Sequence, residues 1–76
     1  MSPRLPAVTG KQVARVAESL GFQLRRQRGS HAIYVRSADR ARAVIPLHGS
    51  AQLKPKTLRG IILDLKITVE EFRSLL

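Results

Sequence analysis

Two histidines, His31 and His48, are the strongest candidates for chemistry in this 76-residue sequence. The sequence contains no cysteine, which excludes a thiol nucleophile and a thiolate metal site. The five acidic residues have no spacing typical of a metal site or of a catalytic carboxylate pair. An enzyme with this sequence would therefore work with histidine and positive charge.

His31 is the better candidate of the two, because it follows Gly29-Ser30 in a predicted turn and has arginines close by in sequence. The imidazole of histidine titrates near neutrality, so it can accept or donate a proton. RNA supplies its own nucleophile, the ribose 2′-hydroxyl, so a base and nearby cations would be enough to cleave it. The alternative is that His31 only holds a backbone group of the turn. His48 could be a second acid or base, a phosphate contact, or a loop histidine that caps the segment after it.

The net charge of +9 favours a polyanionic partner, above all nucleic acid. The alternative is that the charges only keep the surface solvated. Three of the cations cluster at a predicted helix start, where backbone N–H groups attract anions but added cations oppose the helix dipole. The basic residues that we expect to contact phosphate are Arg25, Arg28, Lys54, Lys56 and Arg59.

The hydrophobic pattern predicts the element order α-β-β-β-α-α. Capping-box patterns, Thr9 with Gln12 and Thr68 with Glu71, mark two helix starts. We assign an extended arm to residues 1–8, a helix after Thr9, strands over 22–28, 31–36 and 41–46, a helix from Pro55, and a short helix after Thr68.

Turns this short predict an antiparallel three-stranded sheet, and the helices carry the apolar faces that would cover one side of it. The expected fold is an α+β two-layer sandwich, similar to double-stranded-RNA-binding domains, in a single domain over residues 1–76. In the first strand, alternation predicts Gln23, Arg25 and Gln27 on one face. If Arg36 and Arg42 pair across the second turn, Ala32 lies opposite Pro46, and the following histidine, His48, comes close to His31.

No segment has the roughly 20 apolar residues of a membrane span. The first residues contain no apolar run long enough for a signal peptide. We therefore expect a cytoplasmic protein without a membrane partner.

Four segments of the sequence, at this order and spacing, resemble the HicA (YcfA-like) toxin family, and the resemblance covers nearly the whole chain from about Thr9. They are Gly21-Phe22 with Arg26–Tyr34, Ile45–His48, Leu53–Ile62 and Ile67–Phe72. Two positions depart from the pattern of many relatives: Ala32 replaces a His or Arg, and Lys56 replaces a Gly.

The resemblance implies a double-stranded-RNA-binding-like fold and a toxin of a type II toxin–antitoxin system that cleaves mRNA as an endoribonuclease. His31 would be its catalytic residue, and no cofactor is implied. His48 and Ser30 are candidates to assist it. The implied partners are RNA and a HicB-type antitoxin that covers the active face.

Two other functions fit the same residues. A non-catalytic RNA-binding module of this fold would bind RNA in a salt-dependent way, and replacing His31 would leave that binding unchanged. An interaction protein would use its basic face to bind an acidic protein partner, and would bind RNA only weakly.

Overall fold

A computed structural model describes residues 4–76 and confirms the predicted α+β order. The elements are α1 (Gly10–Ser19), β1 (Gln23–Arg28), β2 (His31–Arg36), β3 (Ala41–Pro46), α2 (Pro55–Asp64) and α3 (Val69–Leu75). The second and third strands have the predicted bounds, and the first begins one residue later than predicted. Within residues 4–76, no helix is long and apolar enough to cross a membrane.

Local hydrogen bonds explain where the helices begin. The Thr9 amide donates to the Gln12 side chain at 2.9 Å, and the Gln12 amide donates to Thr9 Oγ1 at 3.3 Å. Thr68 and Glu71 make the same reciprocal pair before α3, at 2.9 and 3.0 Å. Both predicted capping boxes are therefore confirmed, and each satisfies amides that no helical carbonyl can reach.

The three strands form one antiparallel sheet in the order β1-β2-β3. One face of the sheet packs under the helices, and its residues Ala32, Tyr34, Ala43 and Ile45 are buried. The other face, which we call the open face, carries the alternate residues of each strand. This two-layer arrangement confirms the predicted sandwich, and it leaves the open face available to a ligand.

The predicted pairing of Arg36 with Arg42 is wrong by one residue. Arg36 pairs with Ala41, and His31 pairs with Pro46. A one-residue slip exchanges the two faces of a strand, so the predicted register would place Arg42 on the buried face and Ile45 on the open one. Burial of the apolar alternate residues of β3 selects the observed register. The inference that the segment after Pro46 lies near His31 survives this correction.

The predicted alternation along β1 is also wrong beyond its second residue. The register shifts between Leu24 and Arg26, so Arg25 is an extra residue in a β-bulge. After the bulge, Arg26 lies beside Ile33 and Arg28 lies beside His31 on the open face. Gln27 therefore lies on the opposite face from the one predicted, and Arg26 and Arg28 lie on the same face as His31.

The segment before α1 packs on the domain where the structure describes it. Residues 4–8 form neither helix nor strand. Val8 is buried, and its carbonyl accepts a hydrogen bond from the Leu53 amide at 2.9 Å. Residues 1–3 of the predicted arm lie outside the described residues.

Asp39, in the turn between β2 and β3, links the end of β2 to the segment after α2. Its carboxylate accepts two hydrogen bonds from Arg36, each 2.9 Å long, and one from Lys66 at 3.1 Å. Arg36 also donates to the Leu20 carbonyl at 3.0 Å and lies over the Phe22 ring. The hydrogen bonds from Arg36, and then those from Lys66 and the Ala41 amide, hold the pKa of Asp39 well below its usual range.

Candidate active site

The turn between β1 and β2 presents His31 to solvent. Arg28 pairs with His31 across a two-residue turn, and the first turn residue, Gly29, has a φ of +55° that favours glycine. The Gln27 side chain donates to the Gly29 carbonyl at 3.2 Å. His31 is therefore exposed at the end of a closed hairpin, and the backbone fixes its position.

The end of β3 brings His48 to the same place. His31 pairs with Pro46, and the Leu47 amide donates to the Ser30 carbonyl, which extends the pairing past the strand end. A turn then follows, in which the Ala51 amide donates to the His48 carbonyl at 3.1 Å. These backbone contacts hold the loop that carries His48 against the turn that carries His31.

The two imidazole rings lie with their centroids 6.4 Å apart and almost perpendicular, at 81°. His48 Nε2 lies 3.3 Å from Ser30 Oγ, so either the hydroxyl donates to the bare nitrogen or an Nε2–H donates to the hydroxyl. Among residues 4–76, no side-chain hydrogen bond to the His31 ring is present. The structure thus brings together the candidate catalytic residue His31 and the two candidates to assist it, and the Ser30 hydroxyl lies within hydrogen-bond distance of the His48 ring.

The histidines lie beside a positive charge that no carboxylate of the described residues neutralises. The ion pairs within the described part of the chain are Arg36–Asp39 and Lys66–Asp39, and they lie at the other end of the strands. Arg28, beside His31, is exposed and has no carboxylate partner among the described residues. Positive charge that no carboxylate neutralises favours the binding of a phosphate.

The five predicted phosphate contacts fall into two groups. Arg28 lies beside His31, and Arg25 lies at the bulge, on the edge of a depression in the open face. Lys54 is the N-cap of α2, and Lys56 and Arg59 lie in its first turns, all exposed. The helix group follows the His48 loop in sequence, and no hydrogen bond joins it to either histidine within residues 4–76.

Three further arginines were missed as candidates from the sequence. Arg26 lies on the open face beside Ile33 because of the bulge, and Arg40 and Arg42 face it from the β2–β3 turn and β3. Nothing in the alternation of β1 indicates the bulge. The high arginine content of this region was the one signal that could have suggested the cluster.

Tyr34 is the one tyrosine of the sequence. It is 5% exposed and lies on the covered face, so it offers no surface on which a base could stack. Burial, reinforced by the neighbouring Glu18 carboxylate, raises the pKa of its phenol. The structure assigns Tyr34 to the core. Residues 4–76 contain no cluster of three or more His, Cys, Asp or Glu side chains that could hold a metal ion.

Comparison with known families decides the relationship. A family model described as "HicA toxin of bacterial toxin-antitoxin" matches residues 10–67, well over half of the chain. The chain belongs to the HicA toxin family. Comparison with curated proteins found no match. The matched residues run from the start of α1 to the corner after α2, so they contain both histidines and all the candidate cations of this HicA toxin.

Membership makes the protein a toxin of a bacterial toxin–antitoxin system and implies an antitoxin as its partner. It also agrees with the resemblance found in the sequence, which rested on motifs around His31, His48 and the start of α2.

Proposed function

We propose that this HicA toxin is an endoribonuclease that cleaves mRNA in the cytoplasm, with His31 as its catalytic residue. The observation that carries the proposal is the pair of imidazole rings, 6.4 Å apart on an exposed, positively charged edge of the sheet. Two groups that can each accept or donate a proton, on one small surface, fit the chemistry of a phosphodiester that has an internal nucleophile.

In the proposed reaction, His31 accepts the proton of the ribose 2′-hydroxyl while the hydroxyl oxygen attacks the adjacent phosphorus. The bond from phosphorus to the 5′ oxygen breaks, and His48 donates a proton to that oxygen. Arg28, beside His31, stabilises the negative charge that grows on the phosphoryl oxygens. The residues need no metal for these steps, because the nucleophile belongs to the substrate.

Ser30 is a positioning residue in this proposal. Its hydroxyl lies 3.3 Å from His48 Nε2, so it limits the rotation of that ring while no substrate is bound. Arg25 and the cluster at the start of α2, formed by Lys54, Lys56 and Arg59, would hold the RNA backbone on either side of the cleaved bond.

One observation favours a second candidate function, a non-catalytic RNA-binding module. Catalytic histidines are usually oriented by a hydrogen bond from a third group, and within residues 4–76 the His31 ring has none. The two candidates make opposite predictions for His31, so one experiment separates them.

The test is RNA cleavage by the purified protein in excess chelator, free of antitoxin. We expect His31→Ala to lower the rate by roughly 100-fold to 10,000-fold, the usual contribution of a general acid or base. His48→Ala should lower it by a smaller factor, and Ser30→Ala by the least. Thermal unfolding should be unchanged in His31→Ala and His48→Ala, because both side chains are exposed, and nearly unchanged in Ser30→Ala, whose side chain is partly buried.

An unchanged rate in His31→Ala would refute the mechanism. If wild type and variant both bind RNA equally and neither cleaves it, the protein is a binding module. The partner is tested separately: we propose a HicB-type antitoxin that covers His31, and its addition should suppress both cleavage and RNA binding.

A further inference from the structure

The open face of the sheet contains a depression of about 710 Å³, and its lining begins at Ile33, two residues along β2 from His31. Ile33 and Val35 form its floor, and both are only partly buried. Its volume lies within the range of pockets that bind small molecules or parts of larger ones. It is distinct from the histidine pair, because neither His31 nor His48 lines it.

The rim of the depression gathers positive charge that the protein does not neutralise. Four arginines with no side-chain hydrogen bond or ion pair within residues 4–76 surround the floor: Arg25, Arg26, Arg40 and Arg42. A fifth, Arg36, is bound by Asp39. Like charges this close repel one another and lower the stability of the fold. A polyanion bound among them would remove that repulsion.

The depression and the candidate active site lie along the same face of the sheet. Arg28 lies beside His31, Arg26 lies beside Ile33, and Arg42 lies beside Val35, all on one face of the sheet. The four residue steps along β2 from His31 to Val35 span about 13 Å. One polynucleotide strand lying along β2 would therefore contact both sites.

The chemistry of the lining fits the backbone and the base faces of unpaired RNA. Guanidinium groups bind phosphate through two parallel hydrogen bonds and also stack on bases. The apolar floor can contact the face of a base only when that base is free of a duplex stack. The lining side chains are arginine, isoleucine, valine and serine, and this set favours backbone contacts over the reading of base edges.

We propose that this arginine-lined depression is a second subsite for single-stranded RNA, which holds the nucleotides flanking the cleaved bond. This inference deepens the proposed ribonuclease function and rests on it, because the bond that these nucleotides flank is the one that the proposed reaction cleaves. It predicts that affinity grows with RNA length and depends little on sequence.

Binding is measured first, in a His31→Ala protein, with a labelled single-stranded RNA of about 12 nucleotides. Arg26→Gln/Arg42→Gln is compared with Lys11→Gln/Arg15→Gln, a matched pair on α1, which packs on the covered face. Each lost phosphate contact lowers the salt slope by about 0.7, so the open-face pair should weaken binding about 25-fold at 0.1 M salt. The α1 pair should weaken it no more than about twofold.

Cleavage is measured second, with wild-type His31 and RNAs of about 3 and about 12 nucleotides. The longer RNA should have the lower KM, and Arg26→Gln/Arg42→Gln should remove that advantage without changing kcat on the shorter one. Arg26→Lys/Arg42→Lys keeps the charge, so it should retain the salt slope. Circular dichroism checks that every variant is folded.

Each other outcome overturns the proposal. Equal weakening by the two matched pairs would mean general attraction, and a larger loss for duplex than for single-stranded RNA would mean a duplex site. Unchanged RNA binding with weakened antitoxin binding would assign the depression to the protein partner. Because binding is measured in His31→Ala, failure of the proposed cleavage mechanism leaves this test intact. A catalytically active Arg26→Gln/Arg42→Gln protein with normal binding would reject the subsite alone.

Discussion

Replacing Gly10 with alanine should destabilise the protein, although alanine is the better helix former. Gly10 is the first residue of α1 and is buried. A Cβ at this position would lie 1.9 Å from the Pro46 carbonyl oxygen, about 1.5 Å short of the 3.4 Å at which ordinary van der Waals contact begins. The obstacle is backbone, so no side-chain rotation can relieve it.

The magnitude follows from two opposing effects. Overpacking of a fitted contact costs up to about 3 kcal/mol, and the higher helix propensity of alanine returns about 1 kcal/mol. The expected loss in the free energy of unfolding is therefore about 2 kcal/mol. For a domain of this size, that lowers Tm by roughly 8–16 °C.

Gly60→Ala is the matched control. Gly60 lies exposed within α2, and a Cβ added there would meet no neighbouring group within 4 Å. The same substitution should therefore raise the free energy of unfolding by up to about 1 kcal/mol. The assay is thermal and urea unfolding followed by circular dichroism. The reasoning is refuted if Gly10→Ala is as stable as wild type while Gly60→Ala behaves as expected.

Gly10→Ala also tests the candidate active site. Pro46 pairs with His31, and the following residue, Leu47, bonds to Ser30. Pushing the Pro46 carbonyl away from α1 should therefore shift His48 relative to His31. A misplacement of about 1 Å can cost roughly 100-fold in rate, so Gly10→Ala should lose more cleavage activity than its unfolded fraction explains, and Gly60→Ala should lose none.

Three further predictions concern stability. Asp39→Asn should lower the free energy of unfolding near neutral pH. Because the folded-state pKa of Asp39 is lowered, the difference in unfolding free energy from wild type should shrink as pH falls below about 4. Urea unfolding across pH measures this difference, and a difference that does not change with pH would contradict the prediction. Thr9→Ala and Thr68→Ala should each lower the free energy of unfolding by about 1 kcal/mol, whereas Thr→Ser at the same positions should be nearly neutral. Chemical denaturation measures both, and equal losses for Ala and Ser would argue against the caps. Lys56→Glu should stabilise the protein by about 0.5 kcal/mol, because α2 has no acidic residue in its first turn. The same change should weaken RNA binding. A loss of stability would contradict the dipole argument.

The charge of this toxin explains why stability and binding oppose each other in that last variant. Lys54, Lys56 and Arg59 surround the N-terminus of α2, where positive charge is unfavourable to the helix. The same placement favours an anionic ligand. The arginines of the open face follow the same pattern, since they repel one another until a polyanion neutralises them.

The amino-acid sequence by itself determined the elements and the chemistry available to them. Thr9, Pro55 and Thr68 mark helix starts through bonds and steric effects that act within one turn of chain, so they can be read locally. The short turns on either side of β2 force an antiparallel sheet. The lack of cysteine and the scarcity of carboxylates left His31 and His48 as the candidates for proton transfer.

The tertiary structure decided which side chains share a face. Burial of Ile45 set the register that places His31 opposite Pro46, and the bulge at Arg25 turned Arg26 and Arg28 toward the open face. The close approach of Gly10 to Pro46 likewise joins residues far apart in sequence. Register, bulges and such contacts are chosen by the packing of the whole core, because a shift of one residue exchanges the faces of a strand while leaving its local pattern unchanged.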